Sequence, residues 1–253
     1  RPTTAPGAAS GMARDAAASG AECVLAFGGD GTLREAASGL LGSDCALGFI
    51  PGGTVNVMTL AFGLPSRPLA AVAALARATE REFDVGLSND EAFLMQTSAG
   101  VDAELIRRLS TRLKRVVAVG AALPAGLGAF ALYRYPRLQL AADGEELEGS
   151  LAVICNIPFY GGRFKIQPEA RPDDRKLDLV LFRGRGRLAT AGFARDLLLG
   201  RHLARPDVEV RRVEEVELRG PARLPMQIDG DVFPAGPPAY IRLAPERLRV
   251  LTL

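Results

Sequence analysis

Two short stretches constrain this chain more than anything else in it. In "CVLAFGGDGT", which starts at Cys23, and in "CALGFIPGGT", which starts at Cys45, an apolar run ends in a glycine-rich loop, and a helical pattern follows. A short apolar run bounded by turn residues reads as a strand buried on both faces, as a strand of a parallel sheet is. Two successive strand–loop–helix units make a parallel α/β fold. Both loops then lie side by side at the carboxyl edge of the sheet, where such folds bind ligands.

The flanking residues complete this unit. Residues 8–19 are alanine-rich and helical, and Gly20 ends them. Helices are expected over residues 32–41, over 57–62, and after Pro68 in "PLAAVAALARAT". Beyond residue 83 the pattern changes. "EFDVGLS", "AFLMQTS", "RLQLAA", "SLAVICNI", "KLDLVLF", "DVEVRRVEEVELRG", "LPMQIDG", "YIRLA" and "LRVLTL" are short runs between turn residues, several alternating in polarity. They predict an antiparallel β domain with few helices, among them "VDAELIRRL" and "LATAGFARDLLLG". The expected organisation is an α/β domain with a parallel sheet over residues 1–83 and a larger antiparallel β-rich domain over residues 84–253, with the last strand a candidate to pack back on the first domain.

Composition narrows the chemistry. The formal net charge of +2 gives no nucleic-acid footprint. The three cysteines are far apart and form no CxxC, which argues against a zinc site or a disulfide framework. Cys23 and Cys155 lie in apolar runs and are expected in the core. His202 is the only histidine, in an arginine-rich stretch that reads as surface. Residues 116–132, "VVAVGAALPAGLGAFAL", carry no charge but contain Pro124. They read as a buried helix pair broken at the proline, with an apolar lip dipping into a bilayer and a short membrane span as the alternatives.

Within the first loop, Gly28, Gly29 and Gly31 allow a sharp turn and close approach of a ligand. Thr32 reads as an N-cap, with Glu35 completing a capping box. The helix N-terminus then offers free N–H groups to an anion. Neither loop contains the GK[ST] of a Walker P-loop. Asp30 is the anomaly, a negative charge in a loop suited to anions.

In order along the chain, "GGDGTLREAASGL", "LGFIPGGTVN", "FGLP", "SAGVDAELI", "FYGGRFKIQPEARPDDRKLDLVLF" and "QIDGD" resemble the diacylglycerol kinase catalytic domain family, which includes bacterial lipid kinases and sphingosine kinases. The resemblance covers nearly the whole chain. It implies a nucleotide-binding α/β domain and a β-rich lipid domain, with ATP and Mg²⁺ as cofactors and a diacylglycerol-like or long-chain lipid as acceptor. On that resemblance Gly28, Gly29, Asp30, Gly31, Thr32, Leu33 and Arg34 line the ATP site with Gly53, Thr54 and Asn56, and Thr3 touches the nucleotide. Asp174 holds a structural magnesium ion with the backbone carbonyls near Arg171 and Lys176, and Asp231 is the general base. Asp30 is then expected to face phosphate through Mg²⁺ or water, the other reading being that it accepts backbone N–H bonds and shapes the turn. A cytoplasmic protein with peripheral contact at the inner membrane face is expected, and a homodimer is left open. An NAD kinase-type enzyme, which shares "GGDG", and a catalytically weak lipid- or nucleotide-binding paralogue are the alternatives.

The chain departs from the family pattern in four places. Asp231 stands where Glu is commoner, Arg175 stands where glycine is usual in the metal block, Ala8 stands after Gly7 where Asp is frequent, and the opening strand with its "NPxSG" loop is absent, as expected if upstream sequence is missing.

Overall fold

The computed structural model describes residues 1–110, 133–221, 223–233 and 236–253. The first part runs α1 (Ala8–Ala18), β1 (Cys23–Gly28), α2 (Asp30–Leu40), β2 (Ala46–Pro51), α3 (Met58–Ala61), α4 (Pro68–Leu75) and β3 (Thr79–Phe83). Strand β18 (Leu248–Thr252) returns from the far end of the chain into the same sheet, whose order is β1–β2–β18–β3. It lies parallel to β2, with Val250 opposite Leu47, and antiparallel to β3. Strands β1 and β2 are parallel and in step, Cys23 opposite Ala46 and Gly28 opposite Pro51, so both glycine loops leave the sheet at one level. Leu33, Ala37 and Leu40 of α2 pack on Leu47, Phe49 and Val250. Helix α1 lies on α2 so closely that a Cβ on Gly39 would sit 2.1 Å from the Ser10 carbonyl oxygen.

Strand β1 is not buried on both faces. It is the sheet edge among the described residues, and Leu25 and Phe27 are 52% and 67% exposed. Cys23 is exposed for the same reason, whereas Cys45 and Cys155 are buried.

The second part builds a β sandwich. One six-stranded sheet is ordered β5 (Glu91–Phe93), β4 (Gly86–Ser88), β17 (Ala239–Leu243), β14 (Glu215–Arg219), β7 (Leu138–Ala142), β8 (Glu145–Gly149). The other is ordered β13 (Val208–Val213), β12 (Leu177–Phe182), β9 (Leu151–Cys155), β6 (Gln96–Ala99), β15 (Met226–Ile228), β16 (Asp231–Phe233). Period-two alternation explains why β9 and β12, covered on both faces, are buried throughout. Ile154, Leu179 and Leu181 face Leu140, Val216 and Ile241 between the sheets, while Val153, Val180 and Phe182 face outward to Phe193 of α6 (Gly186–Leu198). Helix α5 (Val101–Ser110) follows β6, and β10 (Phe159–Tyr160) with β11 (Phe164–Lys165) forms a separate hairpin.

Two runs that read as single strands are each split between sheets. "EFDVGLS" becomes β3 and β4 because the carboxylate of Asp84, between them, is fully buried and tied to other loops. "DVEVRRVEEVELRG" becomes β13 and β14, which cross from one sheet of the sandwich to the other at Glu214. His202 is in the core, its Nε2 2.7 Å from the Ile166 carbonyl oxygen and its ring edge-on to Phe193. Among the described residues no helix is long and apolar enough to cross a membrane, and residues 116–132 lie outside them.

Candidate active site

Equal strand ends bring the two glycine loops into contact. The Gly52 and Gly53 N–H groups both donate to the Gly28 carbonyl, at 2.6 and 3.1 Å. A Cβ on Gly53 would lie 2.7 Å from Gly29 Cα, so the backbones touch. Asn56, at φ 51, closes the second loop on itself. Its Oδ1 accepts the Gly53 N–H at 2.9 Å, and its Nδ2 donates to the Gly53 carbonyl at 2.8 Å.

Asp30 braces the loops. Its two carboxylate oxygens accept the N–H groups of Val57 (2.9 Å) and Met58 (3.1 Å) at the start of α3. Burial raises its pKa, and those two hydrogen bonds pull it back in part. Of the two expectations for Asp30, this is the geometry of the turn-shaping one.

Helix α2 begins earlier than expected, with Gly29 rather than Thr32 at its N-cap and no side-chain cap. Glu35 does not form a capping box, because its Oε2 accepts the Ala9 N–H at 3.2 Å and so ties α1 to α2. Helix geometry leaves the first N–H groups of α2 without intrahelical acceptors.

Opposite the loops stands the β15–β16 hairpin. Asp229 and Gly230 both have positive φ, 48 and 81, as a two-residue type I′ turn requires. The buried Asp229 carboxylate accepts the N–H groups of Leu94 (2.8 Å), Met95 and Gln96 (both 2.9 Å). Burial raises its pKa to about 6 against the pull of those three donors. Gln227 supports the turn from behind: its Oε1 accepts the Gly230 N–H at 2.7 Å and its Nε2 donates to Ser98 Oγ at 2.8 Å. Ser98 in turn donates to Asp102, which also accepts the Tyr160 hydroxyl at 3.0 Å. Burial raises the pKa of both Asp102 and Tyr160. Asp231 opens β16 with its side chain 42% exposed, and its Oδ2 lies 3.3 Å from Arg34 Nη2. The same oxygen would be 3.4 Å from a Cβ on Gly31, so this carboxylate stands directly over the first glycine loop.

Loops and hairpin enclose a cavity of about 470 Å³. Gly29, Asp30, Gly31, Thr54, Asn56 and Asp231 all line it, with Val55, Met95, Ile106 and Phe159 as an apolar wall. Gly28 and Gly53 form the loop backbone beneath, and Arg34, outside the lining, pairs with Asp231 at its edge. Thr3 and Thr32 line a different cavity, of about 930 Å³, along the open side of β1. Leu33 is fully buried in the core and its N–H bonds the Gly29 carbonyl, which makes it a packing residue. Arg171, Asp174 and Lys176 lie outside both cavities, in the loop before β12. Reasoning from the residues alone overlooked Gln227, Ser98, Tyr160 and a role for Asp102. The signal was available in Gln227, a polar residue between two apolar ones on a strand just before the Asp-Gly turn.

A parallel sheet that presents two touching glycine loops and a helix N-terminus to a carboxylate on a β sandwich defines a kinase of the two-lobed α/β-plus-sandwich type. Residues 1–88 match the diacylglycerol kinase catalytic domain, and residues 95–252 match the YegS C-terminal NAD kinase beta sandwich-like domain. The chain belongs to this family of lipid kinases. It is 32% identical over 240 residues to a Pseudomonas putida protein named "Probable lipid kinase YegS-like", covering 93% of this chain and 79% of the relative. It is 25% identical over 246 residues to the diacylglycerol kinase of Bacillus subtilis, covering 95% and 81%. Two crystal structures from Bacillus anthracis str. Sterne, one of them titled a diacylglycerol kinase, cover 99% of this chain and 83% of their own. Their TM-scores are 0.80 and 0.72 at 19% and 18% identity, a likeness of fold. The family and fold class expected from the ordered motifs are therefore those the chain has.

Proposed function

We propose that the protein transfers the γ-phosphoryl group of ATP to the hydroxyl of a diacylglycerol-like or long-chain lipid, in the cavity between the glycine loops and the 229–231 turn. The carrying observation is Asp231, a half-exposed carboxylate held by Arg34 over the glycine loop. Phosphoryl transfer depends on alignment and charge neutralisation more than on covalent chemistry. Free N–H groups of α2 and the backbone of residues 28–31 and 52–54 seat the phosphates. Asp231 takes the proton of the acceptor hydroxyl as its oxygen bonds to phosphorus and ADP leaves. Arg34 orients that carboxylate.

Mg²⁺ supplies charge neutralisation when it arrives with the nucleotide. Asp231 is the cavity carboxylate suited to meet it, since Mg²⁺ keeps several waters and needs few protein oxygens, whereas Asp30 and Asp229 spend both oxygens on backbone N–H groups. The apolar wall of Val55, Met95, Ile106 and Phe159 suits an acyl chain. Val55, 63% exposed, and the exposed Phe164 of the neighbouring hairpin support peripheral membrane contact at this rim. The working division is residues 1–83 together with β18 on the nucleotide side and the sandwich on the lipid side.

The test is phosphate transfer from labelled ATP with Mg²⁺ to a panel of lipid alcohols in mixed micelles, with NAD as a further acceptor. One labelled lipid class is expected. Asp231→Asn is expected to lower kcat by roughly 10²–10⁴-fold without lowering the unfolding midpoint. An Asp231→Asn enzyme of wild-type kcat refutes the base assignment. Labelled NAD selects the NAD kinase reading, and binding without any product selects the weak paralogue.

A further inference from the structure

Residues 171–176, "RPDDRK", carry two acidic and three basic side chains, so their own charge is already net positive. The resemblance makes this loop a structural magnesium site. A hard divalent cation asks for several free oxygens in a fixed arrangement, and here the Asp174 carboxylate and the Pro172 and Asp173 carbonyls face nitrogen donors. Asp174 Oδ2 is paired with the Arg212 guanidinium, and its Oδ1 accepts the Lys176 N–H at 3.1 Å. The Pro172 carbonyl accepts the Asp84 N–H at 2.5 Å, and the Asp173 carbonyl accepts Arg247 Nη2 at 3.1 Å. Among the described residues no group of three or more His, Cys, Asp or Glu side chains could hold a metal ion.

Asp84 is the centre of the arrangement. Its fully buried carboxylate accepts the Arg175 N–H at 2.7 Å, Arg175 Nη1 at 3.3 Å and Arg247 Nε at 2.9 Å. Arg175 Nη2 continues to the Ala244 carbonyl at 3.0 Å, and Arg247 Nη1 to Glu82 at 2.6 Å. Arg175 occupies the left-handed region at φ 60, where glycine is the usual residue. Its hydrogen bonds to Asp84 and Ala244 oppose the conformational cost. Guanidinium is permanently charged, planar and able to bond several oxygens at once, so it can join a carboxylate to carbonyls as a cation does. A divalent cation on Asp174 would have to displace Arg212 and would be repelled by Arg175 and Lys176.

We propose that arginines do the work of a structural cation in this chain: Arg175 and Arg247 on Asp84, with Arg212 on Asp174, fasten residues 171–176 to the β3–β4 junction and to the β17–β18 connection, and the fold takes up no metal there. The proposal does not depend on the identity of the acceptor lipid or on turnover.

The experiment is thermal unfolding of the full chain without nucleotide, in EDTA and then in MgCl₂ or CaCl₂. A structural cation at roughly 100-fold excess over its Kd would raise the midpoint by roughly 5–10 °C, whereas an unchanged midpoint is expected. Arg247→Ala is expected to lower the midpoint by roughly 5–10 °C in every buffer, because it removes a partner of a buried carboxylate. Should that variant fail to fold, Arg247→Lys, which keeps the charge without the fork, is expected to fall between the two. A midpoint that drops in EDTA, recovers in Mg²⁺ and loses that response in Asp174→Asn overturns the proposal, as does an Arg247→Ala midpoint equal to wild type. A Mg²⁺ response identical in wild type and Asp174→Asn arises at another site and supports it.

Discussion

Replacing Gly53 by alanine tests whether the contact between the two glycine loops is what shapes the candidate active site. The added Cβ would lie 2.7 Å from Gly29 Cα and 2.8 Å from Asn56 Oδ1. Ordinary carbon contacts begin near 3.5 Å, so the loops must part by roughly 1 Å. Neither neighbour is the free end of a flexible chain. Gly29 Cα is backbone at the start of α2, and Asn56 is held by its reciprocal hydrogen bonds. Forced overpacking of this kind costs about 1–3 kcal/mol. For a chain of this size that is a fall of roughly 3–10 °C in unfolding midpoint. The kinetic effect is expected to be larger, because a 1 Å misplacement at a phosphoryl-transfer site costs roughly 100-fold in rate. Gly11, within α1, is the control: its Cβ would meet nothing within 4 Å, so Gly11→Ala is expected to be neutral or to stabilise by about 0.5–1 kcal/mol. Calorimetry and steady-state kinetics with ATP on the two variants decide the matter. A Gly53→Ala enzyme with wild-type midpoint and kcat/KM refutes the reasoning.

Two further predictions concern the opposing turn. Gln227→Leu leaves the Gly230 N–H without its acceptor and Ser98 Oγ without a donor in a buried setting. It is expected to cost about 1–3 kcal/mol in urea unfolding and to lower kcat more than it raises the KM for ATP, because the turn carries Asp231; a change in KM alone contradicts this. Asp229 supplies a pH signature. Its folded pKa, about 6, lies above the ordinary 3.8. The stability it contributes is therefore complete below about pH 4 and is lost as the pH rises through about 6. Asp229→Asn cannot titrate, so wild-type stability relative to this variant is expected to decline across that window, and parallel stability curves would argue against the assignment.

What could be read from the chain alone depended on how local the cause was. The glycine loops, the Asp-Gly turn and the alternation of β9 and β12 are short-range features, and their residues announce them. His202 escaped because its flanking arginines suggest surface, while its burial comes from Ile166 and Phe193, distant in sequence. Cys23 escaped for the converse reason, since an apolar run does not say whether its strand ends up at a sheet edge. Glu35 has the spacing of a capping box, but Ala9 of the packed neighbouring helix offers it another donor. Asp30 was legible as unusual and not as a brace, because its partners, Val57 and Met58, come together only once β1 and β2 are paired in step. Arg175 was legible as a departure from glycine, and its partner Asp84 lies 91 residues earlier.

Strand β18 sits between β2 and β3, so the nucleotide-side sheet cannot be finished from its own stretch of chain. A ribosome completes β1, β2 and β3 long before it reaches residue 248. Until then no strand joins β2 to β3, and the apolar faces of Leu47 and Phe49 wait for Val250. The sandwich, all of whose strands emerge in the interval, is free to assemble first. The sheet that carries the glycine loops is therefore closed only once residue 248 has emerged, and a chain cut short before β18 presents a half-built sheet edge to chaperones and proteases.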